Sequence, residues 1–366
     1  MSGPGETLTI RSVDATLVMV PMRRALGTSA MAITEAPLAL IDLRTDEGIT
    51  GRAYLFCYLE AAGRATIALI RDVSTVLAGT VAAPAAVRRA LEARFKLLGV
   101  RGLVSAVLAG VDVACWDALA IAAGLPLARM LGATTRPVPA YNSNGLGLVS
   151  PEAAADEALE LVAEGFRAIK MRLGRPSGRE DLAAVRAVRA AIGPDVALMA
   201  DYNQALSLNA ARERCGQLDD EGLYWIEEPV RHDDYAASAE LAALLRTPVQ
   251  IGENFAGPRG MSVALASHAS DYVMPDLERI GGVSGWLDAA ALAGAAGTEM
   301  SSHLYPEVSA HLLAATPVAH WIEYVDWADP ILDQPLKVTD GRVTPPDRPG
   351  AGLTWNAEAV ARFRLG

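Results

Sequence analysis

Lysine is nearly missing from this chain of 366 residues. It occurs only at Lys96, Lys170 and Lys337, and arginine supplies the rest of the 32 basic residues. A lysine is therefore an unusual choice wherever it stands in this sequence. The net charge is −11 and no block of basic residues occurs, which argues against a nucleic-acid or membrane-surface partner.

Cysteine and aromatic residues are scarce as well. Three widely spaced cysteines, Cys57, Cys115 and Cys215, argue against a disulfide framework and against a cysteine-based zinc site. Aromatic residues make up 5% of the chain, so we expect alanine, valine, leucine and isoleucine to fill the core.

Targeting and membrane signals are also lacking. Residues 1–6 show no basic segment followed by an apolar core, so we predict no signal peptide. The most apolar stretch, 103–128, contains Asp112 and Asp117, which favours a buried helix over a membrane span. We therefore expect a cytoplasmic protein.

The first 130 residues or so predict an α+β unit. Residues 8–58 are strand-like, with a turn at 46–48 and a loop at 21–36. Helical patterns follow at 61–77, 85–98 and 103–123.

From residue 138 onward, short apolar runs alternate with helical patterns. The predicted strands are 138–141, 166–171, 196–200, 223–226, 249–252, 271–274, 298–300 and 320–322. The predicted helices are 151–164, 179–192, 208–221, 233–246, 258–268, 281–296 and 306–315. Eight such repeats favour a closed parallel (β/α)8 barrel. A doubly wound open sheet is the competing architecture, but the chain lacks a dinucleotide fingerprint after a first strand.

These patterns divide the chain into three parts. We predict a capping domain over 1–133, a barrel over 134–325 and a C-terminal segment over 326–366. The last segment is rich in proline and is predicted to be an irregular tail that packs back on the capping domain.

Polar residues follow the predicted strands at the end where a barrel carries its active site. Seven consecutive strands deliver an ionisable group there, whereas helix capping alone would explain one or two. The groups are Lys170 and Arg172, Asp201, Glu227, Glu253, Asp276, His303 and Glu323.

Three of these carboxylates are evenly spaced. Asp201, Glu227 and Glu253 are 26 residues apart, one repeat per step. Clustered carboxylates repel one another unless a cation holds them, and all-oxygen ligation suits Mg²⁺. For any one of these carboxylates alone, a solvated helix cap without a functional role would be the simpler interpretation.

Asp276 and His303 follow adjacent strands, so the carboxylate can hold the imidazole as a general base. Lys170 faces the carboxylates and is predicted to neutralise a substrate carboxylate, or to act as a base if burial lowers its pKa. Arg172 is a poor base but a good carboxylate clamp, because a guanidinium stays protonated.

Together these residues resemble the mandelate racemase group of the enolase superfamily over nearly the whole chain. The motifs that carry the resemblance are 166–172, 201–204, 225–229, 252–254, 274–276, 280–283, 301–304 and 309–317. The resemblance implies a capping α+β domain over a modified (β/α)8 barrel, completed by the C-terminal segment.

The resemblance also implies a chemistry. Mg²⁺ held by Asp201, Glu227 and Glu253 would stabilise an enediolate formed by removal of the proton α to a carboxylate. Lys170 and a protonated Glu323 would help. Asn203 and Ser143 would contact the substrate, a small carboxylate, and a homo-oligomer is expected.

The sequence departs from the racemase pattern at Arg172, where that pattern has a second lysine as the base for the other face of the α-carbon. Racemisation of a 2-hydroxy acid is the leading interpretation. Dehydration of a sugar acid with His303 as the single base is the alternative that Arg172 favours. A non-catalytic acid-binding module and a sugar isomerase remain further alternatives, although binding alone does not need the full set of ionisable groups.

The expected substrate pocket has an apolar part. Tyr54, Leu304 and Val325 would line it, as in an aryl 2-hydroxy acid site, and the loop at 21–36 would be a lid that contributes Met22 and Met31. A polyol acid would require more polar groups there.

Overall fold

The computed structural model describes residues 7–29 and 31–365. Its first part is an antiparallel sheet in the order β1-β2-β3, covered by helices. The elements are β1 Ile10–Gly27, β2 Ala32–Thr45, β3 Thr50–Phe56, α1 Glu60–Leu77, α2 Pro84–Arg94, α3 Leu103–Ala122 and α4 Leu127–Met130.

Helix α3 is the centre of this capping part. It is long and apolar enough to cross a membrane by length and composition alone, but 78% of its apolar window is buried inside the protein. The hydrogen bonds of its two carboxylates explain how a buried helix can carry these groups. Asp112 accepts hydrogen bonds from the amide and the hydroxyl of Ser284, and Asp117 accepts from the amides of Arg52 and Ala351. The helix is thereby tied to three other parts of the chain.

The second part alternates strands with helices, as the sequence predicts. Its strands are β4 Val138–Asn142, β5 Ala168–Arg172, β6 Ala197–Asp201, β7 Ile226–Glu227, β8 Val249–Ile251, β9 Tyr272–Val273 and β10 Ile322–Tyr324. Its helices are α5 Pro151–Ala163, α6 Gly178–Ile192, α7 Leu208–Leu218, α8 Tyr235–Leu244, α9 Gly257–Ala266, α10 Leu277–Ile280, α11 Gly282–Ala296 and α12 Pro306–Ala315.

The parallel strands close into a barrel. Strands β4 to β9 pair in chain order, and β10 pairs with β4. The gap between β9 and β10 is filled by an extended segment, in which Met300 forms parallel bridges to Val273 and Ala319. The strand predicted at 298–300 is thus reduced to one bridging residue, Met300, and the predicted fold class is confirmed.

The loop predicted at 21–36 is wrong for most of its length. Strands β1 and β2 continue through it as a β-hairpin with a register shift between Pro21 and Leu26. The hairpin packs over the barrel, because Gly27 contacts Gly147 and the side chain of Ser29 lies near Gly174. The segment over the barrel mouth is therefore mostly a strand pair, and Thr28, Ser29 and Met31 lie next to its tip.

The C-terminal segment is more ordered than the sequence predicts. It contains a 3₁₀ turn at Asp329–Ile331, the antiparallel pair β11 Val338–Thr339 and β12 Arg342–Val343, and helix α13 Ala357–Phe363. Strand β12 extends the barrel sheet beside β4. The indole of Trp355 donates to Asp42 of the capping sheet at 3.0 Å. The exact domain bounds at 133 and 325 stay a prediction.

We predict that Gly51→Ala lowers the thermal unfolding midpoint. A Cβ at Gly51 would lie 2.0 Å from the carbonyl oxygen of Ala114 in α3, so the helix must move away from the sheet, and overpacking costs about 1–3 kcal/mol. Gly216→Ala in α7 is the matched control, since a Cβ there meets nothing within 4 Å. It should leave the midpoint unchanged or raise it, because alanine is the better helix former. Equal midpoints for both variants would contradict the packing argument.

Candidate active site

Three carboxylates meet at the carboxyl ends of adjacent barrel strands. Asp201 ends β6, Glu227 ends β7, and Glu253 lies two residues beyond β8. One oxygen from each lies within 4.8 Å of the others, and the side chains are nearly inaccessible to solvent. This all-oxygen set fits a hard divalent cation such as Mg²⁺.

Lys170 lies among these carboxylates. Its Nζ is 2.6 Å from Oε1 of Glu227, 2.9 Å from Oε1 of Glu323 and 3.3 Å from Oδ2 of Asp201. Burial disfavours its charged form, but the attraction of Glu227 and Glu323 outweighs this and raises the pKa of Lys170 well above its ordinary value. These contacts favour the charged form of Lys170, and the choice between its two predicted roles stays a prediction.

The cluster remains short of positive charge. Burial raises the pKa of Glu227 to about 8, with Asp201 and Glu323 adding to the rise while Lys170 opposes it. Glu228, the next residue, is also buried, and burial together with Glu253 raises its pKa well above the ordinary value. A further cation among these carboxylates would relieve the repulsion.

Asn203 strengthens this fit. Its Nδ2 donates to Oδ2 of Asp201 at 3.0 Å, which fixes the side chain, while its buried Oδ1 has no hydrogen-bond partner among the residues that the structure describes. A buried acceptor without a partner costs free energy, so a ligand donor or a bound cation is its natural complement.

His303 and Asp276 form the pair that the sequence predicts. Nδ1 of His303 lies 2.7 Å from Oδ2 of Asp276, and Oδ1 of Asp276 accepts from the amides of Glu278 and Arg279 at the start of α10. The carboxylate holds the proton on Nδ1, which leaves Nε2 facing the site.

The environment of His303 favours its charged form. Nε2 lies 3.3 Å from Oε2 of Glu253. Burial lowers the pKa of His303, but Glu253, Glu323 and Asp276 together raise it well above the ordinary value. A cation held by Glu253 would compete with the imidazolium for that carboxylate, and so would favour the neutral base.

Lys170 and His303 favour the charged form of Glu323 in this structure, and the protonated Glu323 that the resemblance implies stays a prediction. Burial raises its pKa, but Lys170 and His303 outweigh burial and lower the pKa to about 2. Its two oxygens are fully engaged. Oε1 accepts from the hydroxyl of Ser143 at 2.7 Å and Oε2 accepts from the amide of Leu304 at 2.9 Å.

Arg172 turns towards the loop after β4. Its guanidinium donates to the carbonyl oxygens of Ser143 and Gly145 at 2.7 and 3.0 Å, and to the hydroxyl of Ser143 at 2.9 Å. It therefore supports Ser143, which in turn binds Glu323. Ser143 is fully buried and its hydroxyl is committed, so it orients Glu323 rather than offering a free group to the substrate.

The predicted apolar residues lie in different settings. Leu304 and Val325 are both buried. In the chain, Leu304 directly follows His303, and Val325 follows Glu323 by two residues. Tyr54 donates its hydroxyl to Glu307 at 2.7 Å, so its polar end is already used. Met22 is a partly buried residue of β1 and not of a loop.

Sequence reasoning missed the residues that surround Glu253. The guanidinium of Arg279 and the amide of Asn254 both contact this residue. Tyr58 of the capping part contacts Arg279. All three line a cavity of about 710 Å³ between the capping part and the barrel. Arg279 lies between the motifs at 274–276 and 280–283, and nothing in the sequence indicates that its side chain points towards Glu253.

A closed barrel whose mouth gathers carboxylates suited to a divalent cation, under a capping sheet, has the arrangement of a metal-assisted enzyme. Comparison with known proteins agrees. Residues 9–132 match the mandelate racemase/muconate lactonizing enzyme N-terminal domain, and residues 153–360 match the enolase C-terminal domain-like family. The chain belongs to the mandelate racemase/muconate lactonizing enzyme branch of the enolase superfamily.

Relatives in this branch differ in their reactions. L-talarate/galactarate dehydratase of Salmonella typhimurium is 33% identical over 89% of this chain and 82% of its own. An enolase from the alphaproteobacterium bal199, solved with bound Mg, is 47% identical with a TM-score of 0.96, over 98% of this chain and 100% of its own. A Bradyrhizobium enolase, solved with magnesium and mandelic acid, is 42% identical with a TM-score of 0.94, over 99% and 100%. Other relatives are named cycloisomerases. The predicted enzyme class, an isomerase or a lyase, is thereby confirmed.

We predict that Lys170→Met lowers the free energy of unfolding by about 3 kcal/mol or more, because removing one partner of a buried ion pair leaves uncompensated charge. Urea unfolding at pH 7 without divalent cations measures the change. Lys337→Met is the control, since Lys337 is exposed and such surface changes stay within about 0.5 kcal/mol. A loss no larger than that of the control would show that the cluster does not depend on Lys170.

Proposed function

We propose that this enzyme removes the α-proton of a 2,3-dihydroxy carboxylate with His303 as its single base and eliminates the β-hydroxyl, so that a sugar acid is dehydrated. The observation that carries the proposal is the unequal arrangement on the two sides of the mouth. His303 is held by Asp276 and presents Nε2, whereas the guanidinium of Arg172 is bound to backbone carbonyls.

Arg172 is a poor second base for two reasons. A guanidinium stays protonated in proteins, and three of its hydrogen bonds hold it against the loop at Ser143 and Gly145. Racemisation needs a proton transfer on each face of the α-carbon. With one base, the proton leaves and returns on the face of His303.

Mg²⁺ held by Asp201, Glu227 and Glu253 would supply a Lewis acid for the substrate carboxylate. Lys170 would provide a fixed positive charge beside the oxygens of the substrate carboxylate. It would thereby stabilise the negative charge that develops on them when the α-proton leaves. Asn203 offers its unpartnered Oδ1 to a substrate hydroxyl. His303 takes the proton at Nε2 while Asp276 stabilises the imidazolium.

In the elimination, the electron pair of the broken α-C–H bond forms a double bond to the β-carbon. The β-hydroxyl takes a proton and leaves as water. The resulting enol then tautomerises to a 2-keto-3-deoxy acid. No oxidant or further substrate is needed.

Racemisation of an aryl 2-hydroxy acid is the second candidate. It is supported by the 42% identical Bradyrhizobium enolase with bound mandelic acid. The buried Leu304, which directly follows the base in the chain, and the buried Val325, two residues after Glu323, also suit an apolar substituent. Under this alternative, a group other than Arg172 must serve the second face.

The test of the base uses sugar acids and aryl 2-hydroxy acids in D₂O with Mg²⁺, followed by NMR. We expect a keto acid and α-deuterium exchange from only one configuration at C2. His303→Asn should lower both rates by about 10²–10⁴-fold. His268→Asn, at an exposed position with a positive φ that asparagine tolerates, is the matched control. Comparable exchange from both enantiomers of a 2-hydroxy acid would refute one-base chemistry.

The test of the metal set uses isothermal titration with MgCl₂ and a thermal shift. Asp201→Asn removes one ligand charge, so we expect at least about tenfold weaker Mg²⁺ binding and a smaller rise in the unfolding midpoint. Asp195→Asn, at an exposed position, should match the parent protein. Failure of the parent protein to bind Mg²⁺ at millimolar concentration would refute this assignment.

A further inference from the structure

One residue connects the capping part, the His303–Asp276 pair and the candidate metal ligand Glu253. Arg279 lies on the short helix α10. Its Nη1 donates to the carbonyl oxygen of Glu253 at 3.0 Å and lies 3.9 Å from Oε1 of the same residue. Its Nη2 donates to the hydroxyl of Tyr58 at 3.0 Å, and its own amide donates to Oδ1 of Asp276.

Tyr58 is held in an unusual conformation. It follows β3 with a φ of 58°, in the left-handed region that bulky residues rarely adopt. Its ring packs on Phe56 with the centroids 4.4 Å apart, and the guanidinium carbon of Arg279 lies 5.4 Å from its ring centre. Backbone strain of this kind persists only where the surroundings hold it, and it is common at functional sites.

We propose that Arg279 and Tyr58 are a positioning pair that fixes Glu253 for cation binding and makes its placement depend on the seating of the capping part. This rests on the proposed metal set. The carbonyl contact fixes the backbone of Glu253, and the attraction to its carboxylate orients the side chain. A planar guanidinium can make both contacts while its other nitrogen binds Tyr58.

The surroundings argue against a purely space-filling role. Arg279 is only partly buried and lines the cavity between the capping part and the barrel. Arg88 lines the same cavity, but it pairs with Glu92 and Asp288. Arg88 thus offers a matched arginine that does not contact the site.

The experiment is a double-mutant cycle on Mg²⁺ affinity, measured by isothermal titration. We expect Arg279→Gln to weaken binding by about 10–100-fold, as loss of a group supporting a metal ligand does. Tyr58→Phe, which removes only the hydroxyl, should weaken it less. Because both act through one contact, the double variant should match Arg279→Gln alone. Arg279→Lys should recover part of the affinity, and Arg88→Gln should bind like the parent protein.

Unfolding midpoints measured without Mg²⁺ separate positioning from folding. Weaker binding at an unchanged midpoint supports the proposal. Binding by Arg279→Gln within twofold of the parent overturns it, and so do strictly additive losses in the cycle. Should Arg279→Gln fold poorly, the same criteria apply to Tyr58→Phe against Arg88→Gln. A parent protein that binds no Mg²⁺ refutes the proposed metal set itself, whereas equal binding by parent and variants refutes only the positioning pair.

Discussion

The mouth of the barrel depends on one ammonium group buried among carboxylates. Nζ of Lys170 lies within 3.3 Å of Asp201, Glu227 and Glu323. Each of these groups would be costly to bury alone, and the ion pairs with Lys170 offset part of that cost. In a chain with three lysines, this one lies where a compact cation is needed. Its charge still falls short of the carboxylates around it, which makes the cluster a receptor for a second cation.

The two basic residues of β5 illustrate why lysine and arginine differ. Lys170 and Arg172 lie two residues apart on one strand, so the strand directs both side chains to the same side. The ammonium fits between single carboxylate oxygens, as a point charge does. The planar guanidinium instead spreads its donors over two carbonyl oxygens and a hydroxyl of the neighbouring loop. The positive charge of Arg172 thus supports the loop, whereas that of Lys170 is proposed to act on the reacting atoms.

Much of the barrel and its acidic mouth was predictable, because the βα repeat is a local pattern. Asp201 and Glu227 end their strands, and Glu253 follows its strand by two residues. Because each step along the chain is one βα repeat, the three carboxylates lie at the same end of the barrel. The hairpin at 21–36 was missed because β-pairing is non-local. The glycine and serine near its tip are typical of a loop. The pairing of Leu26 with Ile33 and the contact of Gly27 with Gly147 nevertheless determine the structure.

Side-chain direction was the other limit. The direction of Arg172 depends on carbonyl oxygens at Ser143 and Gly145, about 30 residues away, which no pattern in the sequence reveals. The surroundings of Glu323 illustrate the same limit. Burial alone would favour its protonated form, but Lys170 and His303, which come from distant parts of the chain, favour the carboxylate.

These charges also determine where the proton for the leaving hydroxyl comes from. The oxygens of Glu323 accept hydrogen bonds from the hydroxyl of Ser143 and the amide of Leu304, and Nζ of Lys170 is paired with three carboxylates, so both groups are engaged within the protein. Once His303 has accepted the α-proton, its imidazolium is an acid that already faces the substrate. If the same group removes the proton and protonates the leaving hydroxyl, both events occur on one face of the substrate. One-base dehydration in this site would therefore be a syn elimination. The hydrogen bonds that commit Arg172 to the loop at Ser143 and Gly145 support the single base on which this stereochemistry rests.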